Sequence, residues 1–375
     1  MSSINIAQLL PSLETGGVER GVVDLSNHLS NKRIKNHIIS TGGSLVKYLN
    51  NKYTTHHKLN VRSKNFLLFP LISKEINDLL KKYKINILHT RSRGPAWMVN
   101  LIRNKKFKTV STFHNVYNGK SFLKKTYNKG LAKMDYIVAN SNFVKEEIIE
   151  KYNLYNKDIK VIPRGVDIDF FNSSNKYEAV DQFKHKIEFD KNKKIIFFPG
   201  RITSWKGQKE FLKVIIRLQN DNYFFYFAGG ATNKRYYEEL KNEIKINKLD
   251  NVCKVLGNLN SLEFRCLLDL SHIVLSLPTS PEGFGRTVSE ALSMNKVVFG
   301  FDYGGVRDQL RDLDPLFRIK PHDYNEIFLK IKKLENLTND EFKNLTKYSR
   351  QHVKKNFSLK NMLENYEKLY QSIIN

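Results

Sequence analysis

Residues 281–292 read PEGFGRTVSEAL, and the fold is decided by what this stretch does to the chain. An apolar run at 272–278 precedes it and reads as a buried strand. The residues after it carry Val288, Ala291 and Leu292 at helical spacing, which sets one apolar face. The stretch is therefore a strand–loop–helix junction. Gly283 and Gly285 lie in the loop, where the lack of a side chain lets the backbone approach a ligand closely. The open N–H groups of the first helical turn favour an anion, a phosphate above all. Glu282 precedes the turn and Glu290 follows it on the helix. Eight helical residues span about 12 Å, so the two carboxylates suit the two ends of an extended ligand better than one bond. A hydroxyl-rich sugar at Glu282, a ribose at Glu290 and a phosphate between them on the helix N-terminus fit that spacing. Chance also puts two glutamates eight apart in a charged chain, so the surroundings have to decide.

Working outward, the second half alternates strands and helices. A strand at 194–199 ends in GRITSWKGQ, residues 200–208, which places Arg201 and Lys206 in the loop that follows. Two fixed cations there would stabilise negative charge on a departing phosphate, and arginine can hold it bidentately. The bland alternative is a pair of surface charges. Further strands are predicted at 223–228, 252–256 and 297–301, and helices at about 339–355 and 359–374. The first half has the same rhythm, with strands at 4–10, 37–40, 57–61, 85–89, 109–113, 136–139 and 159–163 and a helix at 71–83. Such alternation argues parallel sheets covered by helices on both faces, with functional residues at the carboxyl ends of strands. Gly16 and Gly17, before a helix from about residue 18, fall there, as do Arg91, Arg93 and His114. The third glycine spacing of a dinucleotide fingerprint is missing. The arginines could bind an acidic acceptor or pair with acidic side chains. A lone histidine at a strand end is more often structural than functional.

Residues 164–194 look polar and irregular, a connection between two halves. They include Asp167 and Asp169 at the spacing of a metal-binding pair, weak evidence on its own. The composition, 41% hydrophobic over 375 residues, allows two domains with substantial cores. No run of eighteen apolar residues appears, so no membrane-spanning helix is expected. The first residues lack the basic region of a signal peptide. Cys253 and Cys266 have no metal-ligand spacing and read as core thiols of a cytosolic protein. The net charge of +26 fits either a lysine-rich composition or attraction to an anionic membrane, a phosphorylated acceptor or nucleic acid. No helix-turn-helix, zinc-finger or RNA-recognition motif supports the last of these, so no nucleic-acid partner is expected.

The stretch EGFGRTVSEA resembles the glutamate-x7-glutamate motif of retaining glycosyltransferases of family 4. GRITSWKGQ resembles that family's arginine–lysine diphosphate clamp, STFHN its histidine near the donor sugar, and Gly16-Gly17 its first-loop glycines. IPRGVD, residues 162–167, resembles its interdomain string, with Arg164 in place of the commoner asparagine. The resemblance covers nearly the whole chain. It implies an α/β protein of GT-B architecture, two Rossmann-like domains facing each other across a cleft. An N-terminal acceptor-side domain would occupy 1–164, a linker 165–193, and a nucleotide-sugar-binding domain 194–355. A C-terminal helix at 356–375 would pack back on the first domain. The implied activity is that of a hexosyltransferase acting with retention, without a metal or other cofactor, on a nucleotide-diphosphate sugar as donor substrate. By the same resemblance Arg201, Lys206, Glu282 and His114 serve catalysis. Gly16, Gly17, Gly283, Phe284, Gly285, Thr287 and Glu290 bind the donor, and Arg91 and Arg93 face the acceptor. A glycan or glycolipid acceptor, lipid-linked or of lipopolysaccharide-core type, suits a basic cytoplasmic protein lying at the inner face of a membrane. A glycosidase is the nearer rival, but its carboxyls sit about 5–9.5 Å apart around one bond. A polyanion-binding protein without catalysis would rest on charge alone.

Overall fold

The computed structural model describes residues 4–14, 16–119, 121–174, 178–219 and 222–374. The chain forms two compact units, one of residues 1–165 with 359–375, the other of residues 166–358.

The first unit is built on seven strands: β1 (Asn5–Leu9), β2 (Lys35–Ser40), β3 (Thr54–Lys58), β4 (Ile87–Thr90), β5 (Lys108–Phe113), β6 (Tyr136–Ala139) and β7 (Ile159–Val161). Their order is β3-β2-β1-β4-β5-β6-β7, and every pairing is parallel. Side chains alternate between the two faces of a strand, and both faces are buried. Ala7, Leu88, Phe113 and Ile137 join one core, while Ile6, Ile87, Val110 and Val138 join another. The second of these cores is closed by the helix Leu359–Ile374, which inserts Met362, Tyr366, Leu369, Tyr370 and Ile373. The apolar positions of that helix recur every three or four residues, one stripe of a 3.6-residue period.

The second unit has six strands: β8 (Lys194–Pro199), β9 (Tyr223–Ala228), β10 (Cys253–Val255), β11 (Ser271–Ser276), β12 (Val297–Phe301) and β13 (Arg318–Ile319). The order β10-β9-β8-β11-β12-β13 is again wholly parallel. Strand order reverses beside the first strand of each unit, between β1 and β4 and between β8 and β11. Loops leaving such a reversal diverge, and the crevice at their carboxyl ends is where open α/β sheets bind ligands.

Three local expectations are corrected. The third strand lies at Thr54–Lys58, not 57–61. Its TTHHK sequence has no apolar alternation, and the apolar Leu59 and Val61 that suggested a strand lie beyond its end. The expected helix at 339–355 is two, Asn339–Thr346 and Ser349–Asn356. The supposedly irregular connection carries a helix, Ala179–Ile187, that buries Phe183 and Ile187 in the second unit's core. Two cations fasten this connection by its backbone: Arg265 donates to the carbonyls of Phe170 and Asn172, and Arg350 to those of Ile168 and Phe171. Residues 175–177 lie outside the described residues. Asp167 turns its carboxylate to the backbone N–H groups of Asp169 and Phe170, a local turn. Cys253 and Cys266 are free and buried.

Candidate active site

In the second unit, the loops leaving β8 and β11 meet. After β8, Gly200 takes φ +130°, and a side chain at its neighbour Gly229 would lie 2.0 Å from the Gly200 carbonyl oxygen. The chain passes Arg201, makes a short 3-10 turn at Ser204–Lys206, and reverses through Gly207 at φ +84°. A Cβ on Gly207 would meet the carbonyl oxygen of Leu277, just past β11, at 2.2 Å. Only glycine accepts both that angle and that approach. The Thr279 N–H donates to the Trp205 carbonyl at 2.7 Å and ties the two loops directly. Here the Lys206 ammonium lies 2.9 and 2.8 Å from the two oxygens of Glu282, with side chains 13% and 20% exposed. The indole of Trp205 lies 4.5 Å from that ammonium and 5.8 Å from the Arg201 guanidinium. Lys206 and Glu282 are mostly shielded from water while Arg201 is exposed, and the two cations beside a carboxylate make an electrostatic environment suited to developing phosphate charge.

The loop carrying Glu282 is held from behind by the turn after β12. Gly304 has φ +62°, and the Gly305 N–H donates to the Glu282 carbonyl at 2.8 Å. A Cβ on Gly305 would stand 2.4 Å from the Gly283 carbonyl oxygen. Gln309, fully buried, donates its amide to the carbonyls of Phe284, Gly285 and Gly305 and accepts from the Ser289 hydroxyl. The Tyr303 hydroxyl donates to the Pro278 carbonyl; burial, with the Glu282 charge nearby, pushes it up, so it remains a donor. Gly285, at φ +84°, turns the chain into the helix Arg286–Ser293. Phe284 packs edge-on against Phe357, Thr287 lies in the helix's first turn, and the buried Glu290 pairs with Arg286 one turn earlier at 2.9 Å. Arg286, Trp205, Tyr303 and Gln309 escaped the sequence reading. The i,i+4 pairing of Arg286 with Glu290 was a readable signal, whereas Gln309 reaches the loop from 24 and 25 residues away and leaves no local trace.

In the first unit, Gly16 precedes the helix Gly17–Asn31 in extended backbone, φ 173°, and offers no side-chain cap. Open N–H groups there are left to the Glu19 carboxylate or to an anion. His114 follows β5. Both its ring nitrogens are covered and find no hydrogen-bond partner among the described residues, although the residue as a whole is half-buried. Burial, with Arg164 and Arg91 nearby, holds this imidazole well below its usual pKa and therefore neutral. Its backbone carbonyl accepts from the Asn140 amide at 3.0 Å. Arg91 is buried, donates to Gln8 and the Tyr366 hydroxyl, and stacks 4.8 Å from the Tyr366 ring. Arg93 is half-buried, 4.0 Å from the Tyr117 ring centroid, and donates to Asn128 at 2.6 Å.

Comparison with known proteins bears on both units. Residues 15–170 match the family described as Glycosyltransferase Family 4, and residues 179–352 that described as Glycosyl transferases group 1. The crystal structure of a glycosyltransferase from Rickettsia africae superposes over 100% of both chains with a TM-score of 0.89 and 32% identity. The chain belongs to the family 4, group 1 glycosyltransferases and has their GT-B fold. Among particular relatives, an uncharacterized glycosyltransferase of Methanocaldococcus jannaschii is 25% identical over 79% of this chain and 77% of its own length. The Anabaena protein HepE, solved in complex with UDP and glucose, shares the fold with a TM-score of 0.80 and 17% identity, over 98% of this chain and 100% of its own. Among the described residues no helix is long and apolar enough to cross a membrane.

Proposed function

We propose that this chain transfers a hexose, with retention, from a nucleoside-diphosphate sugar to a lipid-linked or lipopolysaccharide-core glycan at a membrane surface. The observation that carries the donor side is the pairing of Lys206 with Glu282 where the loops leaving β8 and β11 meet. That position puts a phosphate-binding cation and a hydroxyl-binding carboxylate side by side, as the junction of a sugar–phosphate bond requires. Arg201 and Lys206 hold the diphosphate and take up its charge as the bond breaks. Glu282 grips sugar hydroxyls. Gly283, Phe284, Gly285 and Thr287 present backbone to the phosphate at the helix N-terminus, and Glu290 receives the ribose. Gly16 and Gly17 add N–H donors from the first unit, and the neutral His114 positions the sugar. The acceptor hydroxyl attacks from the face that the phosphate leaves; its proton passes to the departing phosphate oxygen, so no enzyme nucleophile takes part. The two cations supply the charge stabilisation that a divalent ion would otherwise give, which is why metal independence is proposed. Arg93 is the more exposed of the two acceptor candidates. The membrane-borne acceptor is supported by the +26 charge.

The test is a screen of nucleotide sugars, UDP-glucose first, by thermal shift, followed by transfer or slow hydrolysis of the labelled donor with and without EDTA. A ligand that binds the folded state raises the melting temperature. NMR of the first-formed product gives the anomeric outcome. Indifference to every nucleotide sugar would overturn the proposal. Loss of turnover in EDTA, restored by magnesium or manganese, would remove metal independence.

A further inference from the structure

Among the large apolar side chains that the first unit exposes, the most exposed include Phe66 at 62%, Leu67 at 85%, Leu71 at 61%, Phe122 at 80% and Leu123 at 79%. They come from two places in the sequence but one place on the surface. Phe66 and Leu67 lie in the short turn Phe66–Leu68, and Leu71 lies on the helix Phe69–Lys82 that continues from it. Phe122 and Leu123 open the helix Phe122–Asn128. The ring of Phe66 meets Tyr127 of that second helix edge-on at 5.9 Å, and Leu123 lies one helical turn before Tyr127 on the same face. The two clusters therefore form one apolar ridge. A contiguous apolar patch of this kind marks a docking surface.

The charge around the ridge identifies what docks. Lys64 and Lys74 flank the first cluster, and Lys124 and Lys125 follow the second, all exposed. Between Asp78 and Asp135 the sequence contains fourteen lysines and arginines and no acidic residue. Exposed aromatic and leucine tips flanked by lysines are what an interfacial segment needs: the tips enter the boundary of the acyl chains while the ammonium groups stay at anionic headgroups. Glu75, one helical turn after Leu71, is an exposed acidic residue beside the first cluster, and Lys64, Lys74, Lys124 and Lys125 outnumber it, so the surroundings of the ridge favour an anionic surface.

We propose that the ridge of residues 66–71 and 122–123 is a monotopic membrane anchor that inserts into an anionic phospholipid surface. It rests on the membrane-borne acceptor proposed above and locates the membrane on the first unit. Neither cluster forms part of the candidate active site.

The test is co-sedimentation of the full chain with vesicles of phosphatidylcholine alone and of phosphatidylcholine with one-third phosphatidylglycerol, without any sugar donor. The wild type should bind the anionic vesicles at least tenfold more tightly than the neutral ones. The double variants Phe66→Ser/Leu67→Ser and Phe122→Ser/Leu123→Ser should each lose at least tenfold on anionic vesicles. Lys124→Ser/Lys125→Ser should shrink the advantage of anionic over neutral lipid. All side chains changed are exposed, and an unchanged melting temperature verifies folding. Equal binding to both vesicle types, or full binding by both apolar variants, would overturn the proposal. So would a wild-type dimer in sedimentation velocity that either apolar variant abolishes, which would make a second copy the occupant. Thermal shift with UDP-glucose is read on the same samples. A donor response without vesicle binding sinks the anchor alone, and vesicle binding without a donor response sinks the donor reading alone.

Discussion

Lys206 and Glu282 hold one another at hydrogen-bond distance, and each has a separate part in the proposed reaction. Removing either leaves its partner charged and partly buried, so the single variants carry two effects. Lys206→Ala should reduce turnover about 100- to 1000-fold, the usual cost of one preorganised electrostatic donor, about 3–4 kcal/mol. Arg201→Ala should act in the same direction. Glu282→Gln frees the ammonium; nucleoside-diphosphate binding should hold or tighten while turnover with the full donor falls. Glu290→Gln should instead weaken the free nucleoside diphosphate about tenfold, because a charge-assisted bond to a ribose hydroxyl becomes a neutral one. Calorimetric titration with UDP beside turnover of the donor separates these. A crossed pattern, with Glu282 governing the nucleotide and Glu290 indifferent, would reverse the direction in which the ligand is proposed to lie.

The elements that carry these residues are braced from outside the motif. Gln309→Leu would strip the Phe284, Gly285 and Gly305 carbonyls and the Ser289 hydroxyl of one shared partner. Unsatisfied buried groups cost about 1–3 kcal/mol each, and partial relaxation should leave a net loss of about 2–5 kcal/mol, read as a lower melting temperature of the second unit. Gly207→Ala should both destabilise and misplace Lys206, since its methyl would meet the Leu277 carbonyl. Here lies the boundary of what the sequence made legible. Of the thirteen strands among the described residues, eleven were readable because buried parallel strands are short apolar runs between turn signals; β3, TTHHK, has no such run and was misplaced, and the two-residue β13 was too short to leave one. The strand-end positions of Gly200, Arg201 and Lys206 followed from those runs. Arg91 lies at a strand end as expected, but a charged residue there looks the same in sequence whether it faces solvent or, as here, the Tyr366 hydroxyl 275 residues later. Long-range partners of that kind have no period to read.

At the scale of the molecule, the first unit stores histidines in neutral form. Burial, with His57 and Lys35 nearby, lowers His37 to about 4, and burial beside Arg91 and His114 holds His89 well below its usual range. The unfolded chain takes up these protons near pH 6.5. Stability is therefore fully present above that value and falls as the pH drops from 6.5 towards 4, by up to about 1.4 kcal/mol per pH unit for each histidine. Thermal unfolding between pH 7.5 and 5 should show this decline, and His37→Gln should flatten it; an unchanged slope in that variant would exonerate His37. His89 points to a different matter, because its ring lies 2.6 Å from the Tyr370 hydroxyl, on the helix that closes the first unit's core. A ribosome makes β1 to β7 first, then all of residues 166–358, and only afterwards that helix. The half of the protein that emerges earliest is thus the half that matures last. Until Tyr366 and Tyr370 arrive, one face of its sheet stays uncovered, and the second unit can complete its own core while the first still waits for a chaperone or for the rest of its chain.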